Sequence, residues 1–224
     1  MSNDLFELTG KVAIVTGGSR GLGKEMALAF ADHGADVVIA SRKVDNCEEV
    51  AELVRAKGRR ALAIAYHAGS WSDAERLAEA TYAEFGTVDV LVNNAGMSPL
   101  YSSLDSVSEE LFDKVIGVNL KGPFRLSAIV GTRMAAGDGG SIINVSSIAS
   151  QRPSPTEAPY GAAKAGINSL TQSFAAAFGP KVRVNCIVPG PFLTDISKAW
   201  DLDAFNARAK HAFALGRGGL PHEV

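Results

Sequence analysis

A chain of 224 residues, 46% hydrophobic and 21% charged, has the length and balance of one soluble globular domain around a single core. A net charge of −2 without a basic run argues against a nucleic-acid partner, and two distant cysteines (Cys47, Cys186) with four scattered histidines (His33, His67, His211, His222) offer no metal-ligand spacing, so no metal is expected. No apolar run reaches ~18 residues and the opening Met1-Ser2-Asn3-Asp4 lacks a signal peptide's basic and apolar regions, so no membrane partner and a cytoplasmic location with reduced thiols are expected.

In chain order, Lys11 to Thr16 reads as a short buried strand running into Gly17-Gly18-Ser19-Arg20-Gly21-Leu22-Gly23, and Glu25 to His33 has helical composition. Strand, glycine turn and helix make a phosphate cradle, because glycine accepts positive φ, lets the backbone approach a pyrophosphate, and leads to a helix N-terminus that favours negative charge. The spacing is not G-x-G-x-x-G, and a lone glycine-rich turn is weak evidence. Further strands are predicted at Asp36 to Ala40, Ala61 to Ala65, Val88 to Val92, Ser141 to Val145 and Val182 to Val188, alternating with alanine-rich segments of helical length. Such alternation predicts an α/β fold, a Rossmann-type doubly wound parallel sheet with helices on both faces, formed as a single domain over 1–224. Gln151 to Pro159, with three prolines, fits a loop near a site. Ligands of such sheets bind beyond the carboxyl ends of the strands, where Thr16, Ser41, Asn93, Ser146 and Pro189 fall.

Tyr160-Gly-Ala-Ala-Lys164 carries the chemistry. On a helix over Tyr160 to Phe178, residues i and i+4 share a face, which places the ammonium beside the phenol. A tyrosine ionises near pH ~10, so acid-base work near neutrality needs a neighbouring positive charge to lower that value. Ser147, just past the apolar run Ile142 to Val145, leaves a strand end and reaches the same carbonyl oxygen. Phenol, ammonium and hydroxyl together polarise a carbonyl and supply its proton, as hydride transfer to a ketone requires.

Thr16-Gly-Gly-Ser-Arg-Gly-Leu-Gly23, Asn93-Asn-Ala-Gly96, Asn119, Ser147, Tyr160-x-x-x-Lys164 and Pro189-Gly190, in this order and spacing, resemble the short-chain dehydrogenase/reductase family across nearly the whole chain. The resemblance implies that Tyr160 is the catalytic acid-base, that Lys164 lowers its pKa and holds the nicotinamide ribose, and that Ser147 orients the substrate oxygen. Asn119 is implied as a fourth catalytic residue holding a water in a proton relay with the lysine. Thr16, Gly17, Ser19, Arg20, Gly21, Leu22 and Gly23 are the implied cofactor turn, and Asn93, Asn94, Ala95 and Gly96 lie along its adenosine side and firm up the central sheet. The segment Pro189, Gly190, Phe192 and Thr194 is implied to hold the carboxamide. The activity implied is interconversion of a ketone and a secondary alcohol on a small-molecule substrate, as in 3-oxoacyl thioester reductases. Sugar, polyol or steroid dehydrogenases and a non-catalytic dinucleotide-binding protein are the alternatives. A homotetramer or dimer is the implied assembly.

Cofactor choice follows from charge. A carboxylate at the end of the second strand would accept from a ribose 2′-hydroxyl and repel a 2′-phosphate, but the chain reads Ala40-Ser41-Arg42-Lys43. Arg42 and Arg20 converging on a phosphate, with Ser41 donating, favour NADPH over NADH.

Two departures from the family pattern stand out. Tyr66-His67-Ala68 replaces an aspartate that often contacts the adenine. Family members also run a few tens of residues past the position of Val224, adding a helix and a final edge strand, so either the given sequence is a piece of a longer chain or the sheet has an uncovered edge, and the family's assembly and pocket, which that region helps form, are not carried over. The stretch of about 194–216, with Trp200, Phe205 and Phe213, reads as an amphipathic substrate loop or as packing against the core.

Overall fold

The computed structural model describes residues 5–195, 197 and 200–224. Six strands, β1 (Val12–Thr16), β2 (Asp36–Ser41), β3 (Ala61–Ala65), β4 (Val90–Asn93), β5 (Gly140–Val145) and β6 (Val182–Ile187), form one sheet in the order β3-β2-β1-β4-β5-β6. Every pairing is parallel, with β1 in register with β2 from Val12↔Asp36 to Thr16↔Ala40. Each predicted strand is present to within a residue or two. The exceptions are ends: Val88 precedes β4 and Val188 follows β6.

Alternate residues of a strand face opposite sides, so one apolar run feeds two cores. Val12 and Ile14 join Val38, Leu91, Leu126, Ile142 and Phe174 on one face, while Ala13 and Val15 join Ala27, Val37, Ile39, Val50 and Val54 on the other. The second face is covered by α1 (Gly21–Asp32) and α2 (Val44–Ala56). The first is covered by α3 (Trp71–Phe85), α5 (Gly122–Ala136) and α6 (Ala158–Phe178). This is the doubly wound arrangement, and the strand order reverses between β1 and β4, where such sheets open a crevice.

The edge strand β6 is half-covered. Val182 and Val184 are buried beneath α6, whereas Arg183, Asn185 and Ile187 are exposed. The chain then forms α7 (Leu202–Ala212) and returns along Phe192, where Leu193 N donates to Gly219 O at 2.8 Å and Gly219 N to Pro191 O at 3.0 Å. The predicted 151–159 loop ends earlier than expected: α6 starts at Ala158 with Pro159 in its first turn, a position whose missing N–H costs the helix nothing.

Candidate active site

The crevice between β1 and β4 is closed at its base by Thr16. Its buried hydroxyl donates to Val92 O at 3.1 Å and accepts from Asn94 N at 3.0 Å and Ala95 N at 3.1 Å. Asn94 completes the clamp by donating to Thr16 O at 2.9 Å and Gly17 O at 3.3 Å. The turn is thereby tied to the end of β4. Gly17 and Gly21 take φ of +65° and +54°, where a Cβ is strained, and a Cβ on Gly23 would stand 2.3 Å from Gly17 O. The first turn of α1 has no side-chain cap and no acidic residue, so its amide dipoles are open to an anion. Thr194 borders the same turn, its Cβ 3.5 Å from where a Cβ of Gly21 would sit.

Across the turn, Ser19 Oγ donates to Ser41 Oγ at 2.9 Å, so the carboxyl ends of β1 and β2 meet through two hydroxyls. Arg42 is exposed and follows directly. Arg20, also exposed, lies 3.9 Å from Asp195, a loose ion pair that reaches the segment after β6. His67 stands exposed beyond β3, its backbone N–H donating to Asp73 at 2.8 Å.

Beyond β4 and β5 the reactive side chains gather. Helix α4 (Glu109–Ile116) passes into α5 through a π-helical segment, Gly117–Lys121, a local widening often found at functional sites. It holds Asn119 fully buried, with Nδ2 donating to Met97 O at 2.8 Å and Val115 O at 2.9 Å, and Oδ1 accepting from Met97 N at 3.2 Å. A Cβ at Gly96 would stand 3.0 Å from Asn119 Oδ1 and 3.6 Å from Lys164 Nζ, so Gly96, Asn119 and Lys164 share one spot. Ser147, extended at the end of β5, caps the short turn Ile148–Ser150, its Oγ accepting from Ala149 N at 3.2 Å, and it stands near enough to the Tyr160 phenol to draw its pKa down. Ile148 N donates to Pro189 O at 3.0 Å, joining this loop to the segment after β6.

The Lys164 Nζ donates to Val145 O at 2.7 Å and stands 5.6 Å from the centroid of the Tyr160 ring. Burial drives the Lys164 pKa down to about 8. Tyr160 is pushed up by burial, drawn down by Ser147 and raised again by the Glu157 carboxylate. The ammonium and the phenol thus share one face of α6.

The profile described as short chain dehydrogenase matches residues 11–204. The chain belongs to the short-chain dehydrogenase family. It is 37% identical over 218 residues to the bovine (Bos taurus) dehydrogenase/reductase SDR family member 4, covering 96% of this chain and 78% of that protein. It is 35% identical to the Caenorhabditis elegans protein of the same name, covering 100% and 88%. Among solved structures, a 3-oxoacyl (acyl-carrier-protein) reductase from Agrobacterium tumefaciens with NADP bound superposes with a TM-score of 0.92 at 29% identity, covering 100% of this chain and 87% of that one. A short-chain type dehydrogenase/reductase from Mycobacterium marinum gives 0.91 at 30%, covering 98% and 87%. This short-chain dehydrogenase is therefore an oxidoreductase acting on CH–OH groups.

In this short-chain dehydrogenase the structure brings Ser147, Tyr160, Lys164, Asn119 and Gly96 together, and separately the glycine turn, Ser19, Ser41 and Thr194. Two predicted cofactor residues turn their side chains elsewhere: Thr16 into the β1–β4 clamp, and Asn93 into the core. There Asn93 Nδ2 donates to Ser127 Oγ at 2.8 Å and Asn144 Oδ1 at 2.9 Å, and Asn144 Nδ2 donates to Thr171 Oγ1 at 2.9 Å. Asn94 is the asparagine that holds the glycine turn. Within the 194–216 loop, residues 196, 198 and 199 lie outside the described residues. Phe205 on α7 is buried between Trp200 (5.2 Å between ring centroids) and Phe213 (5.8 Å), so this aromatic stripe packs on itself. Among the described residues no helix is long and apolar enough to cross a membrane.

Proposed function

We propose that the chain is an NADPH-dependent oxidoreductase that interconverts a ketone and a secondary alcohol, with Tyr160 as acid-base. The observation that carries this reading is the meeting of Ser147, Tyr160, Lys164 and Asn119 beyond β4 and β5, beside an uncapped helix N-terminus and a glycine turn. The open amides of α1 and the bare turn fit a pyrophosphate. Gly17, Ser19, Arg20, Gly21, Leu22 and Gly23 would hold it, Ala95 and Gly96 would flank the adenosine, and Pro189, Gly190, Phe192 and Thr194 would hold the carboxamide. Ser41 and Arg42, with no acid at the end of β2, favour a 2′-phosphate; the Agrobacterium relative is seen with NADP. When bound, the dinucleotide supplies or accepts the hydride.

The chain's own residues do the rest. Ser147 Oγ orients the substrate oxygen and draws the phenol's pKa down, and Tyr160 Oη gives its proton to that oxygen in reduction or takes it in oxidation. Lys164 holds the ribose and a positive charge near the ring. Asn119, pinned on both sides of Met97, keeps the π-helical segment open toward Lys164 for a relay water. Ketones of 3-oxoacyl thioesters, sugars, polyols and steroids all present the carbonyl this arrangement serves. The exposed apolar face of α4 to α6, with Phe112, Phe124 and a groove between Ile116, Leu120 and Leu170, supports a homo-oligomer, and a cytoplasmic location fits the reduced thiols.

The test is NADPH oxidation across a panel of carbonyl compounds by wild type and Tyr160→Phe. Loss of general acid catalysis is worth about 10²–10⁴-fold in rate, with NADPH affinity retained. Retained turnover in the variant contradicts the assigned role.

A further inference from the structure

Glu157 stands three residues before Tyr160, at the N-cap of α6, yet its side chain caps nothing. Its carboxylate is half-buried and hydrogen-bonded to Ser98, in the loop that follows Gly96. Glu157 and Tyr160 line the same small cavity, whose other walls include Pro99, Leu111, Val115 and Pro159. The remaining polar group there is already committed, since Tyr101 Oη donates to Pro155 O at 2.6 Å and accepts from Ala158 N at 2.7 Å. Among the described residues no lysine, arginine or histidine pairs with Glu157. A carboxylate has several acceptor sites, and in this largely apolar wall Ser98 serves one of them, which leaves capacity for a further donor.

We propose that Glu157 is a specificity-determining residue of this site: it receives a hydrogen-bond donor, a hydroxyl or an ammonium, carried beside the substrate's carbonyl, and it turns away substrates with a carboxylate there. The inference rests on the ketone-reductase reading and favours hydroxylated or aminated ketones over 3-oxoacyl thioesters. Both side chains line this one cavity, so a group beside the reacting carbon falls within reach of both. The charge of Glu157 also opposes ionisation of Tyr160, a disadvantage to catalysis that a donor on the substrate would offset.

The experiment measures kcat/KM with NADPH and with NADH for four ketones of one skeleton: butanone, 1-hydroxybutan-2-one, 1-aminobutan-2-one and 2-oxobutanoate. Wild type, Glu157→Gln and Glu157→Leu are compared as ratios to butanone. A charge-assisted hydrogen bond predicts that wild type prefers a donor-bearing ketone by about tenfold or more and uses 2-oxobutanoate least. For an ammonium, both variants lose the preference. For a hydroxyl, Gln, which still accepts, keeps it and Leu loses it. In both variants the 2-oxobutanoate ratio rises. Turnover with no donor preference in wild type, or with ratios unmoved within twofold in both variants, overturns the role of Glu157. Turnover of none of the four, nor of a 3-oxoacyl thioester, by wild type with either cofactor overturns the ketone-reductase reading itself.

Discussion

The Lys164 ammonium and the Val145 carbonyl are joined by a 2.7 Å hydrogen bond that crosses from α6 to the end of β5, while the Ser146 hydroxyl returns a bond of 3.1 Å to the Lys164 carbonyl. Helix α6 is thus fastened to the sheet at the lysine itself. Burial holds the Lys164 pKa at about 8, below its ordinary value of 10.5. The folded state therefore binds this proton less tightly than the unfolded chain. The resulting penalty on folding is present in full below pH 8 and is relieved as pH rises from about 8 to 10.5. Lys164→Met lacks this titration. In urea unfolding, the stability of wild type relative to Lys164→Met is expected to increase between pH 7 and pH 10; a constant difference argues against a depressed lysine.

Gly23 faces the turn it follows. A Cβ there meets Gly17 O at 2.3 Å and Asn94 Nδ2 at 2.5 Å, both parts of the clamp that sets the turn. Gly23→Ala is expected to cost about 1–3 kcal/mol by overpacking and to weaken dinucleotide binding further by displacing the turn. Thermal unfolding and a fluorescence titration with NADPH check the two effects separately.

Arg42 follows a strand end that carries hydroxyls and no carboxylate. Arg42→Ala is expected to weaken NADPH binding by about 1–3 kcal/mol and to leave NADH binding unchanged. Parallel titrations decide it, since equal loss for both dinucleotides removes the 2′-phosphate role.

Ser169 lies exposed on α6 beside the groove between Leu120 and Leu170. An arginine there leaves the core untouched, so Ser169→Arg is expected to fold as wild type and to shift sedimentation from oligomer to monomer. An unchanged sedimentation coefficient places the contact elsewhere.

The strands were legible because β-branched runs such as Val12–Thr16 and Val182–Ile187 feed buried faces, and the glycine turn because only glycine takes φ of +65° at Gly17. Ser147, Tyr160 and Lys164 were legible from spacing on strand end and helix face. Less readable was the direction in which a buried polar side chain points. Asn93 and Asn94 are adjacent, yet one joins the core network to Asn144 and the other the cofactor turn, because successive residues of an extended strand point to opposite sides. Asn144 is the polar residue within the strand Gly140–Val145. Its partners Asn93 and Thr171 come from β4 and α6, far away in sequence. The position of the Lys164 ammonium was hidden for the same reason, since its acceptor is a backbone carbonyl that carries no sequence signature.

The parallel bridge between Phe192 and Gly219 gives the end of the described chain a part in events at its beginning. Thr194, which borders the glycine turn, lies next to a segment held to Gly219 by two backbone hydrogen bonds, and the turn Pro221–Glu223 that follows packs on α1. Glycine turn, the segment Phe192 to Thr194 and the final turn are mechanically in series. Local opening of the 216–223 stretch releases Phe192 to Thr194 before any strand separates, and a ligand gripping both sides must hold that stretch shut. Amide exchange at Leu193 and Gly219 should therefore slow on dinucleotide binding, while the amides of β1, already deep in the sheet, stay as they were.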